Sequence, residues 1–237
     1  MKIAIVGPAY PFRGGIAHYT TLLASRLAKA HEVRAYSFKQ QYPAWLFPGR
    51  SQVDSMSSPL AEIEARCWLI PWWPWTWWKV RRDWSIWRPE VVVFQWWVPF
   101  MSPMTTWLAS GARRLGARVV MICHNVLPHE RSRLDAALVR MALSKADQLI
   151  VHSESERERA CRLNLAGSIE VVPLPTYSAF SSVTWSKERA RAAIGIDGRV
   201  LLFFGLVRPY KGLIDLLNAL PTVLAEFDVT LWVVGEI

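Results

Sequence analysis

"KIAIVGPAYPFRGGIAHYTTLLASRLAKAHEVRAYSF", Lys2 to Phe38, is the stretch on which the fold turns. It opens with "KIAIVG", a short β-branched run without alternation, which predicts a parallel strand buried on both faces. After the loop "PAYPFRGG", Ile16, Tyr19, Leu22, Leu23 and Leu27 recur at helical spacing, and "HEVRAYSF" supplies a second strand. Strand, helix and strand make one βαβ unit, which calls for parallel neighbours.

Downstream the pattern repeats. "PEVVVFQ" is followed by a helix, then come "ARVVMICHN", a helix near Arg131 to Ser144, "ADQLIVHS", a helix opening at a capping box of Ser153 and Glu156, and "SIEVVPLP". Strands alternating with helices predict an α/β fold, a doubly wound parallel sheet. The longest uncharged run, Val91 to Ala112, holds 22 residues, enough on paper for a bilayer span of about 20. Pro99 and Pro103 divide it into a buried strand, a turn and an amphipathic helix instead.

After Pro175 the period stops, and "TYSAFSSVTW" reads as a connection between domains. A second start follows: the helix "SKERARAAIGI", the buried strand "RVLLFFG", the loop "LVRPYKG", the helix "LIDLLNALPTVLAEF" bent or broken at Pro221, and the strand "VTLWVVGE". The expected organisation is an N-terminal domain over 1–176, a linker and leading helix over 177–198, and the start of a second domain over 199–237. One βαβ unit of about 40 residues cannot bury both faces of its sheet, so the second domain is expected to be incomplete in this chain.

The 237 residues are 52% hydrophobic, ample for a packed core, and carry a net charge of +9. Such a charge points to an anionic partner: nucleic acid, a phosphorylated substrate or an acidic membrane surface. The excess lies entirely before Ser186, where 22 Lys and Arg face 13 Asp and Glu, against six of each afterwards. Cys67, Cys123 and Cys161 form no CxxC pair, so neither a disulfide framework nor a structural zinc site is expected. The four apolar residues before Gly7 are too few for a signal-peptide core of roughly 7 to 15. A cytoplasmic protein is expected.

Three loops carry chemistry. In "GPAYPFRGGIAHY", Gly14 and Gly15 allow backbone N–H groups at a helix's positive end to approach a phosphate, although the GxGxxG dinucleotide fingerprint is absent. The plain alternative is a turn. In "FFGLVRPYKG", Arg208 and Lys211 follow a strand's carboxyl end, where two fixed cations can neutralise a diphosphate without a metal. A solvated basic loop has the same look. In "MICHNVLPHE", His124 ends a buried strand, from which a side chain can enter a crevice. Its neighbour Cys123 points to the opposite face, so the two do not form a nucleophile and base pair. Zinc held by His124, His129 and Glu130, and a structural histidine bonded to backbone, are the other readings of this loop. His18, His31 and His152 carry no comparable context.

Taken together, "GGIAHY", "CHNVLPHE", "ADQLIVHSESE", "VVPLP" and "FFGLVRPYKG" resemble, in order and spacing, the retaining glycosyltransferases of family 4. That family has the GT-B architecture of two facing Rossmann-like doubly wound domains. The resemblance implies that Gly14 and Gly15 face the phosphates of a nucleotide-sugar donor, UDP- or GDP-linked, and that Arg208 and Lys211 grip its diphosphate. His124 would lie beside the transferred sugar as the catalytic histidine, orienting it or stabilising charge. No cofactor or metal is implied, and transfer would proceed with retention, without a paired acidic nucleophile. The family's E-x7-E region is expected beyond Ile237, so these residues are expected to be inactive by themselves.

Half of the fourteen tryptophans fall in "CWLIPWWPWTWWKVRRDW", residues 67 to 84, with Lys79, Arg81 and Arg82 among them. Trp72, Trp73, Trp75, Trp77 and Trp78 beside these cations suit a bilayer interface, where aromatic rings sit at headgroup depth and cations meet lipid phosphate. The reading is a peripheral contact on the inner face of the cytoplasmic membrane that presents a lipid-linked or polysaccharide acceptor. Packing in a core or against a partner protein, with Trp72, Trp75 and Trp78 at helical spacing, and a sugar-stacking platform are the alternatives. Nucleic acid is not expected as a partner, because no recognition motif accompanies the basic residues. The function expected is sugar transfer to an envelope or polysaccharide acceptor. The alternative is a non-catalytic membrane or protein interaction module.

Overall fold

The computed structural model describes residues 1–43, 51–54, 59–127, 134–165, 167–177, 185–205 and 207–235, without the side chain of Tyr210. It divides into two compact units, Met1–Thr176 and Tyr177–Ile237. The first contains β1 (Lys2–Val6), α1 (Gly15–Leu27), β2 (Glu32–Phe38), β3 (Ala65–Leu69), α2 (Pro74–Trp87), β4 (Val91–Trp96) and α3 (Ser102–Arg114). It continues through β5 (Arg118–Cys123), α4 (Asp135–Leu143), β6 (Gln148–Val151), α5 (Glu154–Cys161) and β7 (Ser168–Val171).

The seven strands are all parallel, in the order β3-β2-β1-β4-β5-β6-β7. This is the doubly wound, Rossmann-like sheet that the sequence periodicity predicts. The chain moves outward from β1 through β2 to β3, then returns to β1's other side with β4. That reversal makes the carboxyl ends of β1 and β4 the topological switch point, the place where such sheets open a crevice for ligands.

Period-2 alternation sorts the strand residues between two cores. Ala4, Val6, Tyr36, Phe94, Trp96, Val119 and Met121 face one side, packed with Trp77, Val80 and Trp84 of α2, Met104 and Leu108 of α3, and Val139 and Leu143 of α4. Ile3, Ile5, Val93 and Ile122 face the other, beneath Tyr19, Leu23, Ala24 and Leu27 of α1. On the first side Asp83 of α2 clamps the helix to the sheet. Its carboxylate accepts from Tyr36 Oη at 2.5 Å and pairs with Arg34 and Arg66. Burial pushes the Asp83 carboxyl upward, but the hydrogen bonds from Tyr36 and Arg66 and the charges of Arg66 and Arg34 outweigh it and hold the group below its ordinary range.

The tryptophan segment departs from expectation in three ways. Residues 65–69 form a strand, β3, that the sequence reading did not separate from the aromatic run. Pro74, a residue that by itself makes a helix start here doubtful, opens the helix as its first residue, where a missing N–H costs nothing. The buried face is Trp77, Val80, Trp84 and Trp87, not the row Trp72, Trp75 and Trp78. Trp77 is 8% exposed and donates from Nε1 to Ile70 O at 2.9 Å, so it is not a contact residue on the open surface. Trp84 is fully buried with its Nε1 unpartnered among the described residues. Burial decides the balance: about 200 Å² of ring at about 25 cal/mol/Å² outweighs the roughly 1–3 kcal/mol cost of an unsatisfied donor. Trp73, Trp75 and Trp78 remain more than half exposed. No helix among the described residues is long and apolar enough to cross a membrane.

The second unit contains α6 (Lys187–Ala193), β8 (Arg199–Phe204), α7 (Leu213–Glu226) and β9 (Val229–Val234), with β8 and β9 paired in parallel. Of the two expected outcomes at Pro221, a break does not occur: α7 continues through it. The lost bond frees the carbonyl of Leu217, a residue 48% exposed, which leaves it within reach of water. No residue of α6 or α7 is buried, and Leu202 and Phe204 of β8 stay 62% and 76% exposed.

Candidate functional site

The alternation that builds the α1-side core continues past the strand ends. The row Ile3, Ile5 leads to Gly7, Val91 and Val93 lead to Gln95, Val120 and Ile122 lead to His124, and Ile150 leads to His152. Strand register aligns these endpoints, since Val6 pairs with Phe94 and Cys123 with Val151. Four neighbouring strands therefore deliver Gly7, Gln95, His124 and His152 to one face of one sheet edge, at the crevice beside β1 and β4.

The parts fit closely. A Cβ on Gly7 would lie 2.4 Å from Gln95 Cγ, so only glycine leaves room for that amide. Gln95 is 5% exposed, and its Oε1 meets His124 Nε2 at 2.7 Å. An amide oxygen only accepts, so Nε2 carries the proton and Nδ1 the lone pair. The His152 ring lies 5.2 Å from that of His124 and bonds Val172 O through Nδ1 at 2.8 Å. Gln95 Nε2 and His152 Nε2 are both buried without a partner among the described residues. An unmade buried hydrogen bond costs about 1–3 kcal/mol, so polar potential is held open at the crevice against stability.

Helix α1 ties the glycines to this cluster. Gly14 caps it at φ 103°, a value natural to glycine, and both Gly14 and Gly15 are exposed with open space where a side chain would stand. One turn later Tyr19 presents its ring to His124 edge-on at 5.1 Å. The helix's positive end and the histidine thus belong to one wall.

The loop after β5 is held by its backbone. His124 N donates to Trp96 O at 2.9 Å, and Val126 N donates to Glu156 Oε2 at 2.6 Å. This alters the expected capping box. Ser153 Oγ accepts from Glu156 N at 3.3 Å, but the Glu156 carboxylate turns to Val126 and Arg159 rather than back to the cap. The carboxylate that looks like a helix signal in sequence is a brace for the histidine loop.

Burial, reinforced by the neighbouring His152, pulls His124 down to about 4 from an ordinary 6.5. The unfolded chain therefore binds a proton between those two values that the folded state does not. Stability should be whole well above about pH 6.5 and decline as pH falls toward 4, by on the order of 3 kcal/mol at about 1.36 kcal/mol per unit, with little further loss below. Chemical unfolding of the wild type and His124→Gln at pH 7, 5 and 4 measures it: the wild type should lose that much more, whereas equal losses would place His124 in solvent.

Cys123 is fully buried on the opposite side and its thiol is pushed up by burial and then by Glu156, as alternation requires of a non-partner. His129 and Glu130 lie outside the described residues, and no group of three metal-ligating side chains occurs among the described ones. Arg208 and Lys211 belong to the second unit, in the turn after β8, where Lys211 Nζ stands 3.0 Å from the position a Cβ on Gly205 would take. His152 has no motif context of its own in the sequence, although "LIVH" ends its strand as "MICH" ends the one before. That shared offset was the available signal.

The sequence matches Glycosyltransferase Family 4 over residues 13–176. No curated protein matches it. Among solved structures it is similar to the UDP-N-acetylglucosamine 2-epimerase of Rickettsia bellii, at TM-score 0.59 and 12% identity over 99% of this chain and 62% of that one. The Staphylococcus aureus MnaA-UDP structure gives 0.55 at 12%, over 99% and 62%. The E. coli trehalose-6-phosphate protein bound with UDP-2-fluoro glucose gives 0.58 at 13%, over 99% and 64%. The shared feature is the GT-B fold, and the chain spans under two thirds of the length of each of these structures.

Proposed function

The chain belongs to Glycosyltransferase Family 4, and on that premise we propose that the protein moves a sugar from a UDP- or GDP-linked donor to a lipid-linked or polysaccharide acceptor with retention of configuration. The observation that carries this reading is the wall of Gly14, Gly15, Tyr19, His124 and Gln95 at the sheet's switch point. Exposed N–H groups at the start of α1 suit a donor phosphate. A neutral His124, held by Gln95, suits a hydrogen bond to the sugar rather than proton transfer at neutral pH.

Arg208 and Lys211 are the proposed diphosphate clamp, and they act on charge that grows as the nucleotide leaves. With both cations supplied by the chain, the reading needs no metal. The acceptor is placed at the membrane's inner face, where the basic and aromatic side of the first unit meets anionic lipid.

The test is turnover by the full-length protein across a panel of UDP- and GDP-sugars with membrane lipid extract as acceptor. Transfer with the anomeric configuration kept is the expected result. No turnover with any donor, from folded protein that still binds lipid, would replace the reading with the non-catalytic interaction module.

A further inference from the structure

Helices α2 and α3 form a groove on the outside of the first unit. One end is a cavity of about 540 Å³ walled by Pro74, Trp75, Trp77, Trp78 and Trp107, within the roughly 300–1,000 Å³ of small-molecule sites. The Trp77 ring, 6.2 Å from that of Trp107, belongs to its floor, while Trp75 is 81% and Trp78 56% exposed. Trp78 and Trp107 continue into the other end, which is lined by Arg81, Arg82 and Arg114.

The cationic end is built for its arginines. The Arg81 guanidinium lies over the Trp107 ring at 4.2 Å, and Arg82 over Trp78 at 5.6 Å. A Cβ on Gly111 would fall 2.4 Å from Arg81 Nε, so the glycine in α3 makes the space that the guanidinium fills. Among the described residues no carboxylate pairs with Arg81, Arg82 or Arg114. Partial burial and the charge of Arg114 both lower Arg81. Like charges gathered without a counter-ion favour an anion.

We propose that this groove holds one anionic membrane lipid, its hydrocarbon between Trp75, Trp78 and Trp107 and its phosphate on Arg81, Arg82 and Arg114. This rests on the membrane-facing reading above and sharpens it from a diffuse surface to a site. An apolar slot running into unneutralised guanidinium groups matches the end of a lipid where chain meets phosphate. A protein partner would have to bring a carboxylate or phosphate beside an aliphatic anchor, and nothing in the groove selects for backbone. Trp72, which packs near Phe100, and Trp73 lie outside the groove lining.

Flotation of the full-length protein with phosphatidylcholine vesicles, with and without phosphatidylglycerol, tests the site. The wild type should float only with the anionic vesicles, and inorganic phosphate at millimolar concentration should not release it. Arg81→Gln/Arg114→Gln and Trp75→Ala/Trp78→Ala should each weaken binding roughly tenfold or more. Gly111→Ala keeps every charge but displaces Arg81, and should weaken it severalfold. Arg26→Gln/Lys29→Gln, exposed at the end of α1, should change it less than about twofold.

Equal losses from both charge pairs would overturn the groove and leave a diffuse electrostatic contact. Wild type that does not float would overturn the site and the membrane reading together, and a concentration-dependent dimer in the same buffer would assign the face to protein contact. Vesicle binding needs no nucleotide-sugar, so its failure leaves the transferase reading standing.

Discussion

Replacing His124 by Ala should lower kcat/KM for sugar transfer about 10²- to 10³-fold, the usual loss when one preorganised hydrogen-bonding group is removed from beside a transition state. Four constraints prepare this imidazole before substrate arrives: Gln95 on Nε2, Tyr19 across the ring, the Trp96 carbonyl on its own N–H, and Glu156 bracing the loop two residues on. On the proposed transfer, a group so held would spend little entropy in engaging the sugar. Its low proton affinity also separates two roles. An acid with a value of about 4 is deprotonated at neutral pH, so transfer should not follow a bell with a limb near pH 6.5, and His124→Asn should recover part of the activity. Steady-state kinetics of folded Ala and Asn variants decide this. A change of less than about threefold in both would remove His124 from the reacting centre.

A double substitution, Arg208→Ala with Lys211→Ala, should be more damaging still. Charge-assisted hydrogen bonds are worth about 1.5–3 kcal/mol each, so losing two corresponds to roughly 10²- to 10⁴-fold, less any overlap between them. Binding of free UDP or GDP, followed by calorimetry, reports the ground-state share. Turnover reports the remainder, which grows with leaving-group charge. The split distinguishes a clamp from a merely basic turn: a clamp loses both nucleotide affinity and kcat, whereas a solvated loop loses neither. Lys211→Arg should keep affinity better than Lys211→Ala but not restore it, because the ammonium stands against Gly205, where a guanidinium fork needs more room. Unchanged nucleotide binding in the double variant would take both residues out of the donor site.

Much of this architecture is legible along the chain. "KIAIVG", "EVVVFQ", "ARVVMIC" and "LIV" are apolar on consecutive residues because a parallel strand between two helical layers has no wet face. Local chemistry alone suffices there. The site was half legible for the same reason: His124 follows the last buried residue of its strand, and Gly14 with Gly15 precede the first helical repeat.

What stayed hidden depends on register between segments far apart in sequence. Gln95 reads as one more residue of a buried strand until Gly7, 88 positions earlier, leaves room for its amide and His124 meets its oxygen. His152 gained its place only when β6 paired beside β5. Glu156 looked like half of a capping box because the spacing to Ser153 is right, but the stronger demand came from an unpaired N–H at Val126, 30 residues away.

The tryptophans divide along the same line. Composition announced an aromatic, basic segment and the periodicity of α2 was available, yet which ring is buried depended on where the helix begins. Pro74 opens the helix, and packing of the i, i+3, i+7, i+10 face on the sheet turns Trp77, Val80, Trp84 and Trp87 inward and leaves Trp75 and Trp78 outward. Short-range pattern along the chain was enough for the doubly wound sheet and the family, and it marked the candidate loops. Only the tertiary structure decided which polar groups meet at the crevice and which tryptophans line the α2–α3 groove, because both depend on strand register and helix rotation, and a single step in either exchanges a buried side chain for an exposed one.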